Sequence, residues 1–284
     1  MPAAKQTPAA TCVVTGATSG LGRAITAGLL AQGAQVVLVA RDEQRAARTL
    51  EEYRRAGLAA AARAQVVLVD LRSPAQTRAA ALRLLEVVPR IDVLVHCAGV
   101  WPARMEHTAE GLETSFAVNA LAPMILNRVL GARLADSAAR VVQVTAGLYR
   151  LGRVDVARTP FGRDFHPVRT YADTKLCNIL ATLETARANA GAATFNLVHP
   201  GVVRTGLGDR AGVVGWLLRG IKLLWSSPAT GARAPLYLAT NPAVRGISGR
   251  YFDRLRERPL VGAATDQDLG RRLWARMLEL AQVD

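Results

Sequence analysis

Cysteine is scarce in this chain, and its scarcity excludes two kinds of site. Only three cysteines occur among the 284 residues, namely Cys12, Cys97 and Cys177. All three stand in apolar surroundings, and their spacing shows no pairing typical of disulfides or metal ligands. The sequence therefore predicts buried thiols in a reducing compartment and no metal site.

Aromatic and acidic residues are also few, which leaves a strong positive balance. Aromatic residues make up 5% of the chain, and 22 Asp and Glu face 36 Lys and Arg, for a formal net charge of +14. Such a charge raises the hypothesis of a nucleic-acid or anionic-membrane partner. The arginines are scattered among alanines, however, and no basic stripe is interleaved with aromatic residues. We therefore expect no nucleic-acid partner and interpret the excess as a composition bias, to which a phosphate-bearing ligand contributes.

No targeting segment, membrane span or linker is evident. Residues 1–10 lack the apolar core of a signal peptide, and no apolar run has the length of a membrane span, so we expect a soluble, cytoplasmic protein. No Pro/Ser-rich stretch divides the chain, which predicts a single domain over residues 1–284. Residues 213–225 are apolar but interrupted by Arg219 and Lys222, as in a membrane-surface contact or a cover over an apolar pocket. We predict a helical substrate lid at residues 206–227.

Apolar runs and helical patterns alternate along the chain. Strands are predicted at 11–15, 35–40, 65–69, 92–96, 140–145 and 193–198, with helices near 20–31, 41–56, 74–88, 109–134 and 171–190. A helix at 228–240, a short strand at 250–252 and a helix at 266–282 follow. This alternation predicts an α/β fold with a single doubly wound parallel sheet of Rossmann type and helices on both faces. Ligands in such sheets bind beyond the carboxyl ends of the strands.

The ends of the first two predicted strands indicate a dinucleotide. The first strand leads through Thr15-Gly16-Ala17-Thr18-Ser19-Gly20-Leu21-Gly22 into a helix. In such a turn, backbone N–H groups and the helix dipole hold a pyrophosphate. Where an NAD-selective fold usually has Asp or Glu after the second strand, this chain has Arg41. A guanidinium forms a forked pair with a 2′-phosphate, so NADP is predicted. The alternative is a solvated arginine before a helix that opens at Asp42.

Tyr171 and Lys175 are the candidates for acid/base chemistry. Four residues apart in a predicted helix, they lie on one face. An ammonium near a phenol favours the phenolate, so the sequence predicts a lowered pKa for Tyr171. Asn119, in the middle of a largely apolar helix, is by position alone typical of a packing amide. His199 precedes a proline at a strand end without a second histidine or an acid beside it, which indicates a structural role.

Taken together and in order, these motifs resemble the short-chain dehydrogenase/reductase family over nearly the whole chain. The similarity is greatest to the branch of retinol dehydrogenases and bacterial carbonyl or anthracycline ketoreductases, and it includes a long loop before Tyr171. The family motifs are Thr15-Gly16-x-x-x-Gly20-x-Gly22, Cys97-Ala98-Gly99, Asn119, Tyr171-x-x-x-Lys175 and Pro200-Gly201-x-Val203-x-Thr205. The branch motifs are Tyr171-Ala-Asp-Thr-Lys-Leu-Cys-Asn178, His199-Pro-Gly-Val-Val-Arg-Thr-Gly206 and Ser248-Gly-Arg-Tyr-Phe252.

The resemblance implies roles for the matching residues. Tyr171 protonates the carbonyl oxygen as hydride arrives, Lys175 binds the nicotinamide ribose and lowers the pKa of Tyr171, and Asn119 holds a water of the proton relay. A homodimer through the two long helices beginning near residues 109 and 171 is also implied. The implied cofactor-binding residues are Gly16, Thr18, Ser19, Gly20 and Leu21 at the pyrophosphate and ribose, Arg41 at the 2′-phosphate, Asp70 and Leu71 at the adenine, Ala98, Gly99 and Lys175, and Val203 and Thr205 at the nicotinamide amide.

Two positions depart from the family pattern. Cys97 replaces an asparagine, which we expect to cost hydrogen bonding between strands. Ala146 stands 25 positions before Tyr171, where the branch has its catalytic serine. A methyl group cannot polarise a carbonyl, and loss of one such donor costs about two to three orders of magnitude in rate. Thr145 supplies the hydroxyl only if the strand end is shifted, because side-chain alternation otherwise points it to the opposite face. A second candidate for the missing donor is Tyr149 or a hydroxyl of the substrate.

Three functions follow from these observations. The first is an NADPH-dependent reductase, or alcohol dehydrogenase in reverse, acting on a bulky hydrophobic substrate such as a polyketide or terpenoid. The second is a repurposed fold that uses Tyr171 and Lys175 for a non-redox cyclisation, isomerisation or elimination in natural-product biosynthesis. The third is a cofactor-binding interaction protein without chemistry. Ala146 is the feature that separates the first from the other two.

Overall fold

A mostly parallel sheet runs through the part of the chain that the computed structural model describes, residues 9–204 and 226–283. Within this part the strand order is β3-β2-β1-β4-β5-β6-β7-β8. The first seven strands are parallel and β8 is antiparallel to β7. The strands are β1 (Thr11–Thr15), β2 (Gln35–Ala40), β3 (Gln65–Leu68), β4 (Val93–His96), β5 (Arg140–Val144), β6 (Thr194–His199), β7 (Tyr251–Asp253) and β8 (Arg256–Arg258).

The strand order places a topological switch point between β1 and β4. The chain builds β1, β2 and β3 outward on one side, then returns to start β4 on the other side of β1. Ligands of open α/β sheets bind at such a point, beyond the carboxyl ends of the strands. The predicted doubly wound parallel sheet is confirmed, whereas β8 was not predicted. It reverses direction after Arg254, whose φ of 56° is left-handed.

Helices cover both faces of the sheet, and several begin at a polar cap that the sequence supplies. The side chain of Asp42 accepts the N–H of Arg45 at 2.9 Å, and Ser73 accepts that of Gln76 at 3.4 Å. Such caps satisfy backbone N–H groups that the first turn leaves free. The helices are α1 (Gly20–Ala31), α2 (Glu43–Arg55), α3 (Pro74–Val87), α4 (Thr114–Phe116), α5 (Ala122–Val129), α6 (Gly131–Asp136), α7 (Pro167–Ala188), α8 (Pro228–Thr240) and α9 (Gln267–Ala281).

Alternation along the central strands divides the core into two faces. Val142 and Val198 pack with the buried residues of α1 and α8. Leu197, one residue before Val198, packs instead with Leu176 of α7. Successive side chains of a strand point to opposite faces, so the side chain of the next residue, His199, lies on the α7 side. The strand therefore delivers its last side chain toward the helix that carries Tyr171.

The helix predicted at 109–134 is wrong at its start and in its regularity. It begins at Thr114 because Glu113, fully buried, caps it: one carboxylate oxygen accepts the Phe116 N–H at 2.7 Å and the other the Ser115 hydroxyl at 2.9 Å. Residues Ala117–Leu121 then form a π-helical turn that contains Asn119. Insertions of this kind frequently mark functional sites.

The loop expected before Tyr171 is shorter than predicted. Helix α7 starts at Pro167, four residues before Tyr171, and the preceding segment contains 3₁₀ turns at Gly147–Leu151 and Thr159–Phe161. Proline at the first helical position has no N–H to leave unsatisfied. Tyr171 and Lys175 therefore lie one turn inside a formed helix and not at its fraying end.

The predicted lid falls largely outside the described residues, which include only Ser226 and Ser227 of its range. Its flanks are close together: Val203 and Ser226 form a parallel bridge, and the Arg204 N–H donates to the Ser226 carbonyl at 2.9 Å. Thr205 also lies outside the description. Among the described helices, none is both long and apolar enough to cross a bilayer.

Candidate active site

A cavity of about 730 Å³ opens at the carboxyl edge of the parallel strands. Its volume is in the range of small-molecule and cofactor sites. Every predicted site residue lines it except Asn119 and the undescribed Thr205. The predicted residues in its wall are Gly16, Thr18, Ser19, Gly20, Leu21, Arg41, Asp70, Leu71, Ala98, Gly99, Thr145, Tyr171, Lys175 and Val203.

The glycine turn after β1 is packed too closely to accept side chains. A Cβ on Gly22 would lie 2.2 Å from the Gly16 carbonyl oxygen, and one on Gly16, whose φ is +66°, would lie 2.9 Å from the Ala98 Cα. Gly16, Gly20 and Gly22 also line the cavity, so the backbone at the start of α1 forms part of its wall. Backbone N–H groups at a helix N-terminus favour an anion.

Strand β1 is tied to the end of β4 beneath this turn. The Thr15 hydroxyl oxygen accepts the N–H groups of Cys97 at 3.0 Å and Ala98 at 3.1 Å. Both bonds use backbone amides of the β4 end, so they form whatever side chain occupies position 97. The hydrogen-bonding cost expected from Cys97 stays a prediction.

Arginines gather in the cavity wall beyond β2 and β3. Arg41 is exposed, and Arg45 and Arg72 line the same cavity. Arg72 lies 2.6 Å from Asp70 in an ion pair. Although partial burial acts to raise the pKa of Asp70, hydrogen bonds from Arg72 and the charges of Arg72 and Arg41 lower it. Asp70 is therefore a carboxylate already neutralised by Arg72, which leaves Arg41 and Arg45 available to a phosphate.

Tyr171 and Lys175 face the cavity together, as the four-residue spacing predicts. Each is 5% exposed, and the Lys175 Nζ lies 5.6 Å from the Tyr171 ring centroid. Nζ donates a hydrogen bond to the Val144 carbonyl at 3.3 Å. Tyr171 also stacks on Trp101, with ring centroids 4.4 Å apart and planes 13° from parallel. The Trp101 indole N–H donates to the Pro167 carbonyl at 2.8 Å, which fixes the stack.

The predicted lowering of the Tyr171 pKa is wrong. Burial raises the pKa of Tyr171 above its ordinary value, and Lys175 makes no opposing contribution. Burial likewise lowers the pKa of Lys175 to about 8, against a smaller upward effect of Cys97. Both shifts follow from the same cause, because a site shielded from water disfavours the charged form of each group. The ammonium lies over the ring and donates to the Val144 carbonyl, and it does not lower the Tyr171 pKa.

Asn119 lies behind the cavity wall, and both the oxygen and the nitrogen of its side-chain amide are hydrogen-bonded. Its Oδ1 accepts the Val100 N–H at 2.8 Å, and its Nδ2 donates to the Val100 carbonyl at 3.0 Å and to the Thr174 hydroxyl at 3.1 Å. These bonds join the loop after β4 to α7, which is the packing role that position alone predicts. The Asn119 carbonyl, within the π turn, accepts the Asn178 amide at 3.4 Å. A water held by Asn119 stays a prediction.

The region around Ala146 shows what the candidate replacement donors do. Ala146 lines the cavity with its methyl group. The Thr145 hydroxyl is buried and lies 3.5 Å from the Lys175 carbonyl, so it is directed at the α7 backbone. Tyr149 is buried edge-on against Tyr251, with ring centroids 5.6 Å apart, and is not in the cavity wall. Tyr149 is therefore outside the cavity, and Thr145, although it lines the cavity, has its hydroxyl at the Lys175 carbonyl.

Trp101 and His199 are site residues that the sequence reasoning missed. Trp101 follows the Cys97-Ala98-Gly99 motif by two residues and covers Tyr171. His199 ends β6 and lines the cavity. The only sequence signal was position. Trp101 follows β4 and His199 ends β6, so both lie at the sheet edge where Arg41 and Asp70 were predicted.

The strand order and the cavity beyond the strand ends define a Rossmann-type α/β protein, and comparison with known proteins gives its family. A family model described as short chain dehydrogenase matches residues 10–158. Human retinol dehydrogenase 14 is 34% identical over 287 residues, which cover 93% of this chain and 84% of that protein. A Streptomyces sp. (strain C5) protein provisionally named daunorubicin C-13 ketoreductase DnrU is 34% identical over 268 residues, 94% of this chain and 91% of that one. The chain belongs to the short-chain dehydrogenase/reductase family.

A solved structure of the same fold contains a nicotinamide cofactor. It is a blue fluorescent protein from a metagenomic library in complex with NADPH, with a TM-score of 0.67 and 25% sequence identity. The match covers 86% of this chain and 95% of that protein. The predicted family and fold are thus both confirmed.

Proposed function

We propose that this protein is an NADPH-dependent oxidoreductase that reduces the carbonyl, or oxidises the alcohol, of a bulky hydrophobic substrate. The observation that carries the proposal is the meeting of two groups of residues in one cavity. The glycine turn and Arg41 lie in its wall, and so do Tyr171 and Lys175. A nucleotide held by the first group extends along the strand edge toward the second.

The residues present fit NADP. The side-chain-free turn at Gly16 and Gly22 admits a pyrophosphate to the N–H groups of α1, and an exposed guanidinium at Arg41 suits a 2′-phosphate. We assign Thr18, Ser19, Gly20 and Leu21 to the same region and Asp70 and Leu71 to the adenine. Ala98, Gly99 and Lys175 are assigned to the nicotinamide half, with Val203 and Thr205 at its amide.

The proposed chemistry needs one hydride and one proton. NADPH, when bound, supplies the hydride to the carbonyl carbon. Tyr171 holds the proton on its phenol oxygen and donates it to the carbonyl oxygen, so that the ketone becomes an alcohol. Lys175 is placed to bind the ribose and to return a proton to Tyr171, through a water that we assign to Asn119.

The substrate class is inferred from the cavity wall and from the names of two relatives. Val100, Trp101 and Val118 present apolar surface in the cavity that contains Tyr171. One relative is named for retinol and the other for daunorubicin. We propose a hydrophobic substrate such as a polyketide or terpenoid, covered by a lid at residues 206–227. A cytoplasmic homodimer is also part of the proposal.

The test mixes purified protein, NADPH and a panel of aromatic ketones, and follows the absorbance of the reduced nicotinamide. The wild-type protein is expected to oxidise NADPH with at least one ketone, and Tyr171→Phe to lose this turnover by about three orders of magnitude or more while binding NADPH normally. Binding of NADPH without oxidation by any ketone contradicts the proposal. That result favours the second function, a non-redox step, because Ala146 lacks the hydroxyl expected of a carbonyl reductase.

A further inference from the structure

His199 is the last residue of β6 and lies next to the segment that carries Ala146. Strand β6 pairs in parallel with β5, and the Thr145 N–H donates to the Val198 carbonyl at 2.8 Å. Because alternation places Val198 on the α1 side, the His199 side chain lies on the α7 side with the cavity residues Tyr171 and Lys175.

The imidazole ring fits into space left by a glycine. A Cβ on Gly147 would lie 3.5 Å from both Cδ2 and Nε2 of His199. Gly147 directly follows Ala146, so the Cδ2–Nε2 edge of the ring lies against the backbone one residue from Ala146. The opposite nitrogen, Nδ1, is shielded from solvent and has no hydrogen-bond partner among the residues described.

This arrangement favours the tautomer that carries the proton on Nε2. Burial lowers the pKa of His199; Asp253 acts to raise it, and Arg254, Arg150 and Lys175 to lower it. Burial therefore favours the neutral ring, which carries one N–H. A buried N–H without an acceptor is rarer than a buried acceptor without a donor, so Nδ1 is the bare nitrogen and Nε2 carries the hydrogen.

The neighbouring polar groups are already engaged. A carbonyl oxygen that gains negative charge is stabilised by preorganised donors, and Tyr171 is one. The Thr145 hydroxyl faces the Lys175 carbonyl, and the Lys175 ammonium donates to the Val144 carbonyl. The Trp101 N–H donates to the Pro167 carbonyl. In the wall around Tyr171, the His199 side chain offers an N–H donor that makes no hydrogen bond to another described residue.

We infer that His199 donates an Nε2–H hydrogen bond to the substrate oxygen beside Tyr171, in place of the hydroxyl that Ala146 lacks. The inference rests on the proposed reductase function. The hydrogen stays on His199 throughout, and Tyr171 alone transfers its proton, so the charge and proton count of the reaction are unchanged.

The test compares His199→Leu, which removes the donor, with His199→Gln, whose amide nitrogen reaches the place of Nε2. With the ketone that turns over best, His199→Leu is expected to lose about a hundredfold in kcat, with the KM for ketone and the Kd for NADPH within about twofold of wild type. His199→Gln should stay within about tenfold of wild type. Ala146→Ser should raise kcat at least about tenfold in the His199→Leu background and little in the wild type.

Other outcomes overturn the inference. They are an unchanged kcat in His199→Leu, an effect confined to KM, or an equal loss in both variants that Ala146→Ser does not restore. Nitrogen-15 NMR of the histidines gives an independent readout of the tautomer. An Nδ1–H form of His199 in an active wild-type enzyme refutes the inference about His199 and leaves the proposed function standing. If the wild-type protein reduces no ketone, the proposed function is refuted, and the inferred hydrogen bond from His199 to a substrate carbonyl is refuted with it.

Discussion

Replacement of Arg41 by alanine tests the cofactor assignment at a single contact. Arg41 is exposed at the end of β2 and lines the cavity. A hydrogen bond between charged groups contributes about 1.5–3 kcal/mol. Solvent screens an exposed guanidinium, so the lower end of this range applies. A loss of about 1.5 kcal/mol raises the Kd for NADPH about tenfold. The Kd for NADH, which lacks the 2′-phosphate, should change by less than about twofold.

Two further variants separate charge, geometry and general effects. Arg41→Lys keeps the charge and loses the forked geometry, so an intermediate rise in the NADPH Kd, about threefold, is expected. Arg55→Ala is the matched control, because Arg55 is an exposed arginine of α2 that pairs with Glu51 at 3.0 Å and does not line the cavity. Fluorescence titration with each nucleotide measures all four proteins. Equal weakening of NADPH and NADH by Arg41→Ala would refute the phosphate contact.

Two predictions concern stability. Burial lowers the Lys175 pKa from 10.5 to about 8, so between those pH values the unfolded chain binds more protons and stability rises with pH. In urea unfolding, the free energy of unfolding of wild type should therefore increase relative to that of Lys175→Met from pH 8 to 9.5. An unchanged difference between the two proteins over this range would contradict the prediction. Gly22→Ala places a Cβ 2.2 Å from the Gly16 oxygen and should lower the free energy of unfolding by about 1–3 kcal/mol. Gly131→Ala is the control, since Gly131 has open space around it, and should be neutral or stabilising. Equal effects of the two variants in thermal unfolding would contradict the close packing of the turn.

The sheet and its helices were predictable because their signals are local. Buried parallel strands such as β2 appear in the sequence as continuous apolar runs, and both ends of β2 and α1 were predicted at the observed residues. Helix α8 begins at Pro228 after a serine cap, a start signal that the sequence carries openly. The carboxyl edge then brought Arg41, Asp70 and Tyr171 into one cavity, because parallel strands end on the same side.

What could not be predicted depends on contacts between distant parts of the chain. The start of α4 depends on Glu113, whose backbone N–H donates to the Pro160 carbonyl from a later loop. The direction of the Tyr171 pKa shift follows from burial of the phenol, to which Trp101, 70 positions earlier, contributes by stacking on the ring. His199 was read as structural because its neighbours in sequence offer no partner, while its neighbours in space are Gly147 and the cavity.

The raised pKa of Tyr171 bears on the direction of the proposed reaction. Reduction begins with a protonated phenol that gives its proton to the carbonyl oxygen, whereas oxidation begins with a phenolate that takes the proton of the alcohol. Burial beneath Trp101 favours the protonated form, and the Lys175 ammonium, bonded to the Val144 carbonyl, does not counter it. At neutral pH Tyr171 is therefore already in the state that reduction requires. Oxidation has first to remove a proton from a buried phenol, so its rate should rise with pH more steeply than that of reduction.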